Sequence, residues 1–287
     1  MPLRITHKRS GTYMGNANRN CLLGIALAIC SFAVACTPYI ANNDFDPNDA
    51  GIMGGTEIRN EDPLSKVVAL LYNTKTTEIC TASILNNQFV LTAAHCVANA
   101  EPSELKLIFD TAQRKASPTR AVTDFRVHDS YVRNKDEEKN AADIAVVRFA
   151  GGVPKGFRSV RFLPSRDLLK TDTLVTAVGY GTDDDQLPHG TGTLRTTVLP
   201  ILNSKFSQTE LTLDQRKRIG VCHGDSGGPI FLTLDGQYYL WGVTSRSTNL
   251  KNCSEGSIIT NALMFNVWIY DTNVEMGRQK NAVPSIK

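Results

Sequence analysis

The chain has 287 residues, of which 41% are hydrophobic and 21% are charged, and its formal net charge at pH 7 is +3. These values are ordinary for a globular protein with one large domain or two small ones. So small a net charge, without any concentrated basic tract, excludes nucleic acid as an expected partner.

The N-terminal part of the sequence predicts export. An apolar, uncharged run occupies residues 21–35 and follows Arg19. It is shorter than the roughly 20 residues that a helix needs to cross a bilayer, so it is typical of a cleaved signal peptide. Met14 is an alternative start, because residues 1–13 would make an unusually long leader. We predict a signal over residues 1–36.

The end of the signal has two interpretations. The segment Ala33-Val34-Ala35-Cys36 is similar to a bacterial lipobox, in which the cysteine is lipidated and becomes the new N-terminus, although Ala33 stands where leucine is usual. The alternative is an ordinary secretory signal cleaved at or near Ala35. The first predicts a lipoprotein of the periplasm or outer membrane, with Cys36 as the only membrane attachment, and the second predicts a secreted protein.

The next segments predict a linker followed by an all-β domain. Residues 37–51 are rich in Asn, Asp and Pro and are predicted to be an exposed linker or propeptide. Short apolar segments, many of them rich in β-branched or aromatic residues, then recur between turn signals and predict strands. Examples are residues 66–72, 88–92, 105–109, 143–149, 174–178, 229–232 and 238–244. Without long helical periods, this pattern favours a sandwich or barrels over an α/β fold.

Two motifs carry the candidate chemistry, GDSGGP around Ser226 and TAAHC around His95. A serine hydroxyl is a poor nucleophile at neutral pH and needs a general base within hydrogen-bond reach. His95 can supply that base, and Asp143, in the segment ADIAVV, can orient it. The glycines beside Ser226 permit a tight turn that points the N–H groups of Gly224 and Ser226 the same way, as an oxyanion requires.

The order of these residues decides between two hydrolase families. GDSGG also fits the G-x-S-x-G motif of α/β-hydrolases, in which the histidine follows the serine. No histidine follows Ser226, since the five histidines are His7, His95, His128, His189 and His223. The order His95, Asp143, Ser226, together with both motifs, resembles the trypsin/chymotrypsin family of serine endopeptidases.

The resemblance covers residues 52–272 and implies a fold. It implies two six-stranded antiparallel β-barrels with the active site between them and a short C-terminal helix. The segment Gly179-Tyr180-Gly181 is similar to the Gly-Trp-Gly of the family's second barrel, and residues 264–270 are similar to its helix. Residues 273–287 carry no motif and are predicted to be a loose tail.

The resemblance also implies the role of each site residue. Ser226 is the nucleophile, His95 the general base and Asp143 the residue that orients His95, while the N–H groups of Gly224 and Ser226 form the oxyanion hole. Ser245 matches a serine that is hydrogen-bonded to the catalytic aspartate.

The seven cysteines agree with export. The resemblance implies two disulfides, Cys80–Cys96 beside the catalytic histidine and Cys222–Cys253 beside the specificity pocket. Cys21 and Cys30 lie inside the signal, so Cys36 is left over. A lone thiol is awkward in an oxidising compartment, whereas a lipid acceptor there has a purpose.

An activation step is implied at Ile52, which matches the mature start of the family. Its new ammonium would pair with Asp225, a buried charge that is tolerable because it is paired. Met53 replaces the usual valine, and Gly51 precedes the bond instead of Arg or Lys. We expect activation by a protease that is not trypsin-like, or self-cleavage after a small residue. The cut would also free the enzyme from a lipid at Cys36.

The residues of the expected specificity pocket argue against trypsin-like cleavage. Gly220, followed by Val221, stands where family members that cleave after basic residues have an aspartate. An Arg or Lys side chain would enter this pocket unpaired, at a cost of several kcal/mol. Ser245 and Ser247 form the opposite wall, and Gly256 or Ser257 the far side.

Two P1 preferences remain open. Because Ser247 adds a side chain where glycine is usual, a small or medium apolar P1 residue is the first expectation. The alternative is an acidic P1 residue, since Arg246, Lys251 or His223 would place positive charge near the pocket.

The sequence thus predicts an exported, bacterial-type serine endopeptidase that acts through an acyl-enzyme on proteins or peptides. No cofactor and no metal are expected, and the protein is expected to be a monomer with an activating protease as its further partner. The alternative is a catalytically silent trypsin-fold binding protein on the cell surface, because fold alone does not establish function.

Overall fold

The structure is a computed structural model that describes residues 52–134, 138–183, 190–249 and 252–279. The predicted signal with Cys36, the linker 37–51, His189 and Lys251 lie outside the described residues. The predictions made for them stay predictions.

Thirteen strands form within the described residues, and most of them are short. They are β1 Thr56–Glu57, β2 Val68–Asn73, β3 Ile79–Ile84, β4 Phe89–Thr92, β5 Leu105–Ile108, β6 Thr119–Val127, β7 Ala145–Phe149, β8 Leu174–Gly179, β9 Arg195–Asn203, β10 Glu210–Asp214, β11 Pro229–Leu234, β12 Gln237–Ser247 and β13 Gly256–Asn261. Two α-helices, α1 Asp129–Asn134 and α2 Asn266–Gln279, and several single 3₁₀ turns complete the described structure.

The first barrel is closed, antiparallel and six-stranded, in the order β2-β3-β4-β7-β6-β5. Successive side chains of a strand point to opposite faces, and in β2 both faces are apolar. Ala69 and Leu71 pack among residues of this barrel alone. Val68 and Leu70 pack in a cluster that also contains residues of the second half of the chain. Because both faces of the strand are buried, its sequence is a continuous apolar run from Val68 to Leu71.

The second barrel closes in the order β8-β9-β10-β13-β12-β11, and β1 extends the sheet beyond β9. Its interior contains Trp241, Ala177 and Ile259, each fully buried. The predicted fold class, two six-stranded antiparallel barrels with a C-terminal helix, is confirmed.

An apolar cluster joins the two barrels. Leu91 and Val146 of the first barrel pack in one cluster with Val178, Phe231 and Val243 of the second. Burial of this kind contributes about 25 cal/mol for each Å² removed from water. The contact fixes one barrel against the other, and with them the side chains along the cleft.

The C-terminal helix is longer than the sequence predicted, so the expectation of a loose tail from residue 273 is wrong for residues 273–279. Helix α2 continues to Gln279, because Thr272 and Met276 are buried on its inner face. Nη1 of Arg148, in β7, donates to the carbonyl of Met276 at 2.8 Å and ties the last turns to the first barrel.

Helices in the described part of the chain do not combine the length and apolar character that a membrane crossing would need. The disulfides Cys80–Cys96 and Cys222–Cys253 both form, as the sequence predicted. Disulfides are typical of proteins that fold in an oxidising compartment, which is consistent with export.

Candidate active site

His95 lies directly after strand β4. The strand ends at Thr92, and the 3₁₀ turn Ala94–Cys96 carries the imidazole out of the barrel. The disulfide from Cys96 to Cys80 ties this turn to β3, with 6.3 Å between the two Cα atoms. The His95 side chain is 36% exposed, so part of the imidazole remains accessible from the cleft.

Asp143 lies behind His95, in the loop before β7, and is almost fully buried. Its Oδ1 accepts the backbone N–H of His95 at 3.0 Å, and its Oδ2 lies 2.7 Å from His95 Nδ1. Ser245 Oγ, from β12, donates to the same Oδ2 at 2.7 Å. A carboxylate only accepts hydrogen bonds, so it fixes the proton on Nδ1 and leaves Nε2 to accept a proton from a nucleophile.

The two pKa shifts of this pair are those of a charged couple. Burial alone would lower the pKa of His95, but the charge and hydrogen bond of Asp143 outweigh it and raise that pKa above its usual value. Burial alone would raise the pKa of Asp143, but His95 and the Ser245 hydroxyl keep that pKa below its usual value. Asp143 therefore stabilises the imidazolium form of His95, which is the form produced when this base takes a proton from serine.

Ser226 lies in a tight turn that requires glycine. Gly227 has φ +79°, and a Cβ there would collide with Thr92 Oγ1 and the Thr81 carbonyl. Ser226 and His95 line one cavity of about 390 Å³, although no hydrogen bond joins their side chains within the described structure. Catalytic hydrogen bonds are often long without substrate, so this geometry is compatible with a nucleophile and its base.

Two backbone donors beside Ser226 are unused. Among the described residues, neither the Gly224 N–H nor the Ser226 N–H donates a hydrogen bond, whereas the N–H groups of Asp225, Gly227 and Gly228 all do. The His223 carbonyl accepts the Thr182 N–H at 2.8 Å. Since the carbonyl and N–H of a trans peptide point in opposite directions, this bond turns the Gly224 N–H away from Thr182.

Thr81 holds this turn from the first barrel, and the sequence analysis missed it. Its backbone N–H donates to the Ser226 carbonyl at 2.8 Å. Its Oγ1 donates to the Gly224 carbonyl at 3.0 Å and accepts the Tyr180 N–H at 3.0 Å. The partners of this hydroxyl lie 143 and 99 residues away, so no local sequence pattern could have identified the role.

Asp225 is fully buried next to the nucleophile, and no cation among the described residues is its direct partner. Its oxygens accept the N–H groups of Gly181 at 2.8 Å and Cys222 at 2.9 Å. Burial raises the pKa of Asp225 to about 7, although both backbone hydrogen bonds and the charge of Arg195 oppose the shift. A carboxylate in this position needs a positive partner to be stable as an anion.

Ile52 and Met53, at the start of the described region, are both buried. Ile52 is fully buried and has φ +37°, a left-handed conformation that is unusual for a β-branched residue. Met53 forms a bridge to Gly220, whose N–H donates to the Met53 carbonyl at 2.9 Å. Met53 also packs on the Cys222–Cys253 disulfide. In this chain the nitrogen of Ile52 is part of a peptide bond and carries no charge.

A second cavity, of about 280 Å³, lies on the other side of Ser226. Of the predicted pocket residues, Val221, Ser245, Ser247 and Ser257 line it, whereas Gly220 and Gly256 do not. Within the described residues its lining contains no carboxylate.

Gln215, which the sequence analysis missed, lies behind Gly220. Its buried carboxamide donates to the carbonyls of Val221 and Cys253 and accepts the Val221 N–H at 3.1 Å. A Cβ at Gly220 would collide with this side chain. Gly220 is therefore required by packing against the neutral amide of Gln215.

Arg246 lines the second cavity, but its charge is not free. Its Nη1 forms an ion pair at 2.7 Å with Glu210, whose carboxylate is fully buried. The positive charge that Arg246 was expected to place near the pocket is therefore balanced by the Glu210 carboxylate. His223 lines both cavities and is exposed.

Two groups of cysteine and histidine have the spacing of metal ligands. They are Cys80, His95 and Cys96, and Cys222, His223 and Cys253. In each group the two sulfurs are joined in a disulfide. Zinc binds thiolates, so neither group offers a metal the ligands that its composition suggests.

The two barrels, with His95 and Asp143 on the first and Ser226 on the second, define the class of double-barrelled serine proteases. A family model described as Trypsin matches residues 52–269, and the chain belongs to this family. The match covers the whole described region except the last turns of α2.

Individual relatives are distant. The chain is 23% identical to coagulation factor XI of Bos taurus over 267 residues, which cover 86% of this chain and 40% of that relative. It is 30% identical to brachyurin of Leptuca pugilator over 177 residues, which cover 58% of this chain and 74% of that relative. The chain thus spans less than half the length of factor XI.

Proposed function

We propose that this protein is an exported serine endopeptidase in which Ser226, His95 and Asp143 form the catalytic triad. The observation that carries the proposal is the buried Asp143 carboxylate, 2.7 Å from His95 Nδ1, in a site where His95 and Ser226 line one cavity. Membership of the trypsin family supports the reaction class.

The reaction follows from this geometry. Ser226 Oγ attacks the scissile carbonyl while its proton passes to His95 Nε2. The C–N bond then breaks as His95 returns that proton to the leaving amine, which leaves an acyl group on Ser226. Water attacks the acyl-enzyme, giving its proton to His95, and the carboxylic acid leaves as Ser226 regains a proton. The unused N–H groups of Gly224 and Ser226 are the proposed donors to the oxyanion of both steps.

A peptide substrate would cross the nucleophile from one cavity to the other. Ser226 and His223 line both the cavity of about 390 Å³ and that of about 280 Å³. The smaller cavity, beside the Cys222–Cys253 disulfide, is the proposed site of the P1 side chain. This arrangement suits an endopeptidase, because the substrate chain would have a cavity available on each side of the scissile bond.

We propose that P1 is small or medium in size and uncharged. The described lining has no carboxylate that could pair with an Arg or Lys side chain of the substrate. An acidic substrate side chain would find the charge of Arg246 already neutralised by Glu210. The hydroxyls of Thr244 and Ser257 in this lining are buried, and neither has a hydrogen-bond partner in the part of the chain that the structure describes. Buried hydroxyls favour a partner, so side chains that can form hydrogen bonds should be accepted beside the expected apolar ones.

We propose that cleavage before Ile52 activates the enzyme. Asp225 is buried with its pKa raised to about 7, and an ammonium at Ile52 would supply the missing positive partner. The protease that cuts after Gly51 would be different from trypsin, or the enzyme itself. In a lipoprotein the same cut would release the catalytic domain from Cys36.

Labelling with a fluorophosphonate tests the proposed function. Protein beginning at Ile52 should be labelled at Ser226 and should cleave peptides, and Ser226→Ala should lose both properties. Ser103→Ala, at an exposed serine of the first barrel, is the matched control and should keep both. A wild-type protein that folds but neither labels nor cleaves would contradict the proposal and favour the binding-protein alternative.

A peptide library digested by the same protein tests the P1 proposal. Mass spectrometry of the products should show uncharged P1 residues. A clear preference for Arg or Lys would contradict the account of the second cavity. Cell fractionation of wild type and Cys36→Ala tests the anchor, because only a lipidated precursor should move from the membrane to the soluble fraction on substitution.

A further inference from the structure

An ion pair from the second barrel reaches the loop that carries Asp143. Glu210, at the start of β10, is fully buried, and its Oε1 lies 2.7 Å from Arg246 Nη1, in β12. The Arg246 side chain is 30% exposed at the edge of the second cavity. Nothing in the proposed reaction uses either residue, so the position of this pair needs its own explanation.

The pair binds the backbone of the other barrel. Glu210 Oε2 accepts the Asn140 N–H at 2.6 Å, and Oε1 accepts the Ala141 N–H at 3.3 Å. Arg246 Nη2 donates to the Glu138 carbonyl at 2.8 Å. Three backbone groups within residues 138–141 are thus held by one carboxylate and one guanidinium, and Asp143 follows two residues later.

The loop needs such support because its backbone is strained. Asn140 has φ +60° and Ala142 has φ +52°, both in the left-handed region that residues other than glycine seldom occupy. Such conformations persist when the surrounding structure holds them in place. Each of the two strained residues lies within two residues of a backbone group that the pair binds. The direction in which Asp143 leaves this loop therefore depends on the Glu210–Arg246 pair.

Arg246 is also in contact with the triad's hydrogen bonds. Its Nη1 lies 3.2 Å from Ser245 Oγ, the hydroxyl that donates to Asp143 Oδ2 at 2.7 Å. Its positive charge opposes protonation of His95, while the charges of Asp143 and Glu78 favour it. The pair therefore acts on the triad through the backbone, through Ser245 and through charge.

We propose that Glu210 and Arg246 are a positioning pair that reaches from the second barrel and holds the Asp143 loop in the geometry that catalysis requires. The inference rests on the proposed function, since it assigns the pair to the same triad. It gives the second barrel two tasks, supplying the nucleophile and holding the acid that orients the base. A pair of this kind also withdraws Arg246 from contact with substrate charge.

Single variants on the two sides of the pair test the inference. In protein beginning at Ile52, Glu210→Gln and Arg246→Gln should each lower kcat by roughly 10- to 100-fold, while KM for one peptide changes less than about threefold. The reason is that the substrate contacts remain while the His95–Asp143 geometry loosens. Arg114→Gln breaks an exposed ion pair of the first barrel and is the matched control, with unchanged kcat.

The pH dependence of kcat/KM gives a readout that loss of packing alone would not move. Arg246→Gln removes a cation near His95, so the acid limb of the profile should shift to higher pH. Glu210→Gln leaves the charge of Arg246 without its anion, so the limb should shift to lower pH. The charged groups that act on His95 are Asp143, Arg246 and Glu78. Glu78 is not a member of the pair, so Glu78→Gln serves as a reference for the loss of one charge near His95.

Arg246→Lys keeps the inference testable if the glutamine variants do not fold. This variant keeps the positive charge but loses the hydrogen bond from Nη2 to the Glu138 carbonyl. Its kcat should therefore fall less than that of Arg246→Gln, with little shift of the acid limb. Folded glutamine variants with kcat within twofold of wild type, or with a change in KM alone, would overturn the inference. Failure of the proposed function would look different, because wild-type protein itself would then not react with the fluorophosphonate.

Discussion

Two buried aspartates lie on opposite sides of this active site, and their surroundings differ in kind. Asp143 is 4% exposed and accepts hydrogen bonds from His95 and Ser245, so its pKa lies below the usual value. Asp225 is fully buried and accepts two backbone N–H groups, and its pKa is raised to about 7. Backbone dipoles alone do not replace a positive charge in a dry site.

Among the described residues, Asp143 has a titratable side chain as a direct partner and Asp225 has only backbone N–H groups. Under the proposed activation, an ammonium at Ile52 would give Asp225 the positive partner that a peptide nitrogen cannot provide. Activation would therefore act on the nucleophile's side of the cleft, and the predictions below test each aspartate in turn.

The largest effect is expected from Asp143→Asn, in protein beginning at Ile52. The amide would present donors to His95 or to its backbone N–H and favour the wrong tautomer, so kcat should fall on the order of 10⁴-fold at neutral pH. Steady-state kinetics on one peptide measures this. Asp235→Asn, at an exposed turn, is the matched control. A loss of less than tenfold would remove Asp143 from the triad.

Asp225→Asn in the same protein should have the next largest effect. Without a carboxylate, the Ile52 ammonium has no partner and the turn that presents the Gly224 and Ser226 N–H groups loses its anchor. We expect kcat to fall by roughly 10²- to 10³-fold, as for the loss of an oxyanion donor. The substitution should have little effect on the low activity of uncleaved protein. Equal losses in both forms would contradict the activation pair.

The stability of uncleaved Ser226→Ala protein should depend on pH through Asp225. The folded state keeps this proton up to about pH 7, whereas the unfolded state releases it near the ordinary value of 3.8. Between these values the folded state binds more protons, so the free energy of unfolding should fall as pH rises, by roughly 4 kcal/mol in total.

Urea denaturation at a series of pH values measures that slope. Asp225→Asn should flatten it in uncleaved protein, and cleavage before Ile52 should flatten it as well, because the ammonium then stabilises the anion. If the free energy of unfolding still fell with pH after both changes, other titratable groups would cause the fall. The proposed difference between the pKa values of Asp143 and Asp225 would then be contradicted.

The smallest effect is expected from Ser245→Ala. The change removes one of the donors to Asp143 and leaves the two from His95. A hydrogen bond to a charged group contributes about 1.5–3 kcal/mol, so kcat should fall by roughly tenfold or somewhat more. Ser103→Ala, measured beside it, should be silent. An unchanged kcat would show that His95 alone orients the carboxylate.

The sequence predicted best those features that depend on residues close together in the chain. The motifs around His95 and Ser226 are each continuous in sequence, whereas the two disulfides were predicted from the family resemblance. Strands β2, β7 and β12 were predicted because their apolar runs are continuous. Strands β3 and β9 are less evident in the sequence, since ICTASI and RTTVLPILN mix small, polar and apolar residues and one contains proline.

What the sequence could not predict depends on distant contacts. Thr81 and Gln215 are ordinary polar residues until the fold places them against the nucleophile's turn and behind Gly220. Glu210 has no local signature either, because its partners come from a loop of the other barrel and from β12. The last turns of α2 are mostly polar in sequence, and Val274 and Met276 are their only apolar residues apart from Gly277.

The hydroxyl of Thr81 makes residues of the second barrel depend on one side chain of the first. It belongs to the first barrel, yet the groups it binds, the Tyr180 N–H and the Gly224 carbonyl, belong to the second. A chimera whose first half lacks a hydroxyl at position 81 would join two intact barrels and still lose both bonds. The nucleophile's turn would then lose a support from the other barrel, even where both folds survive the exchange.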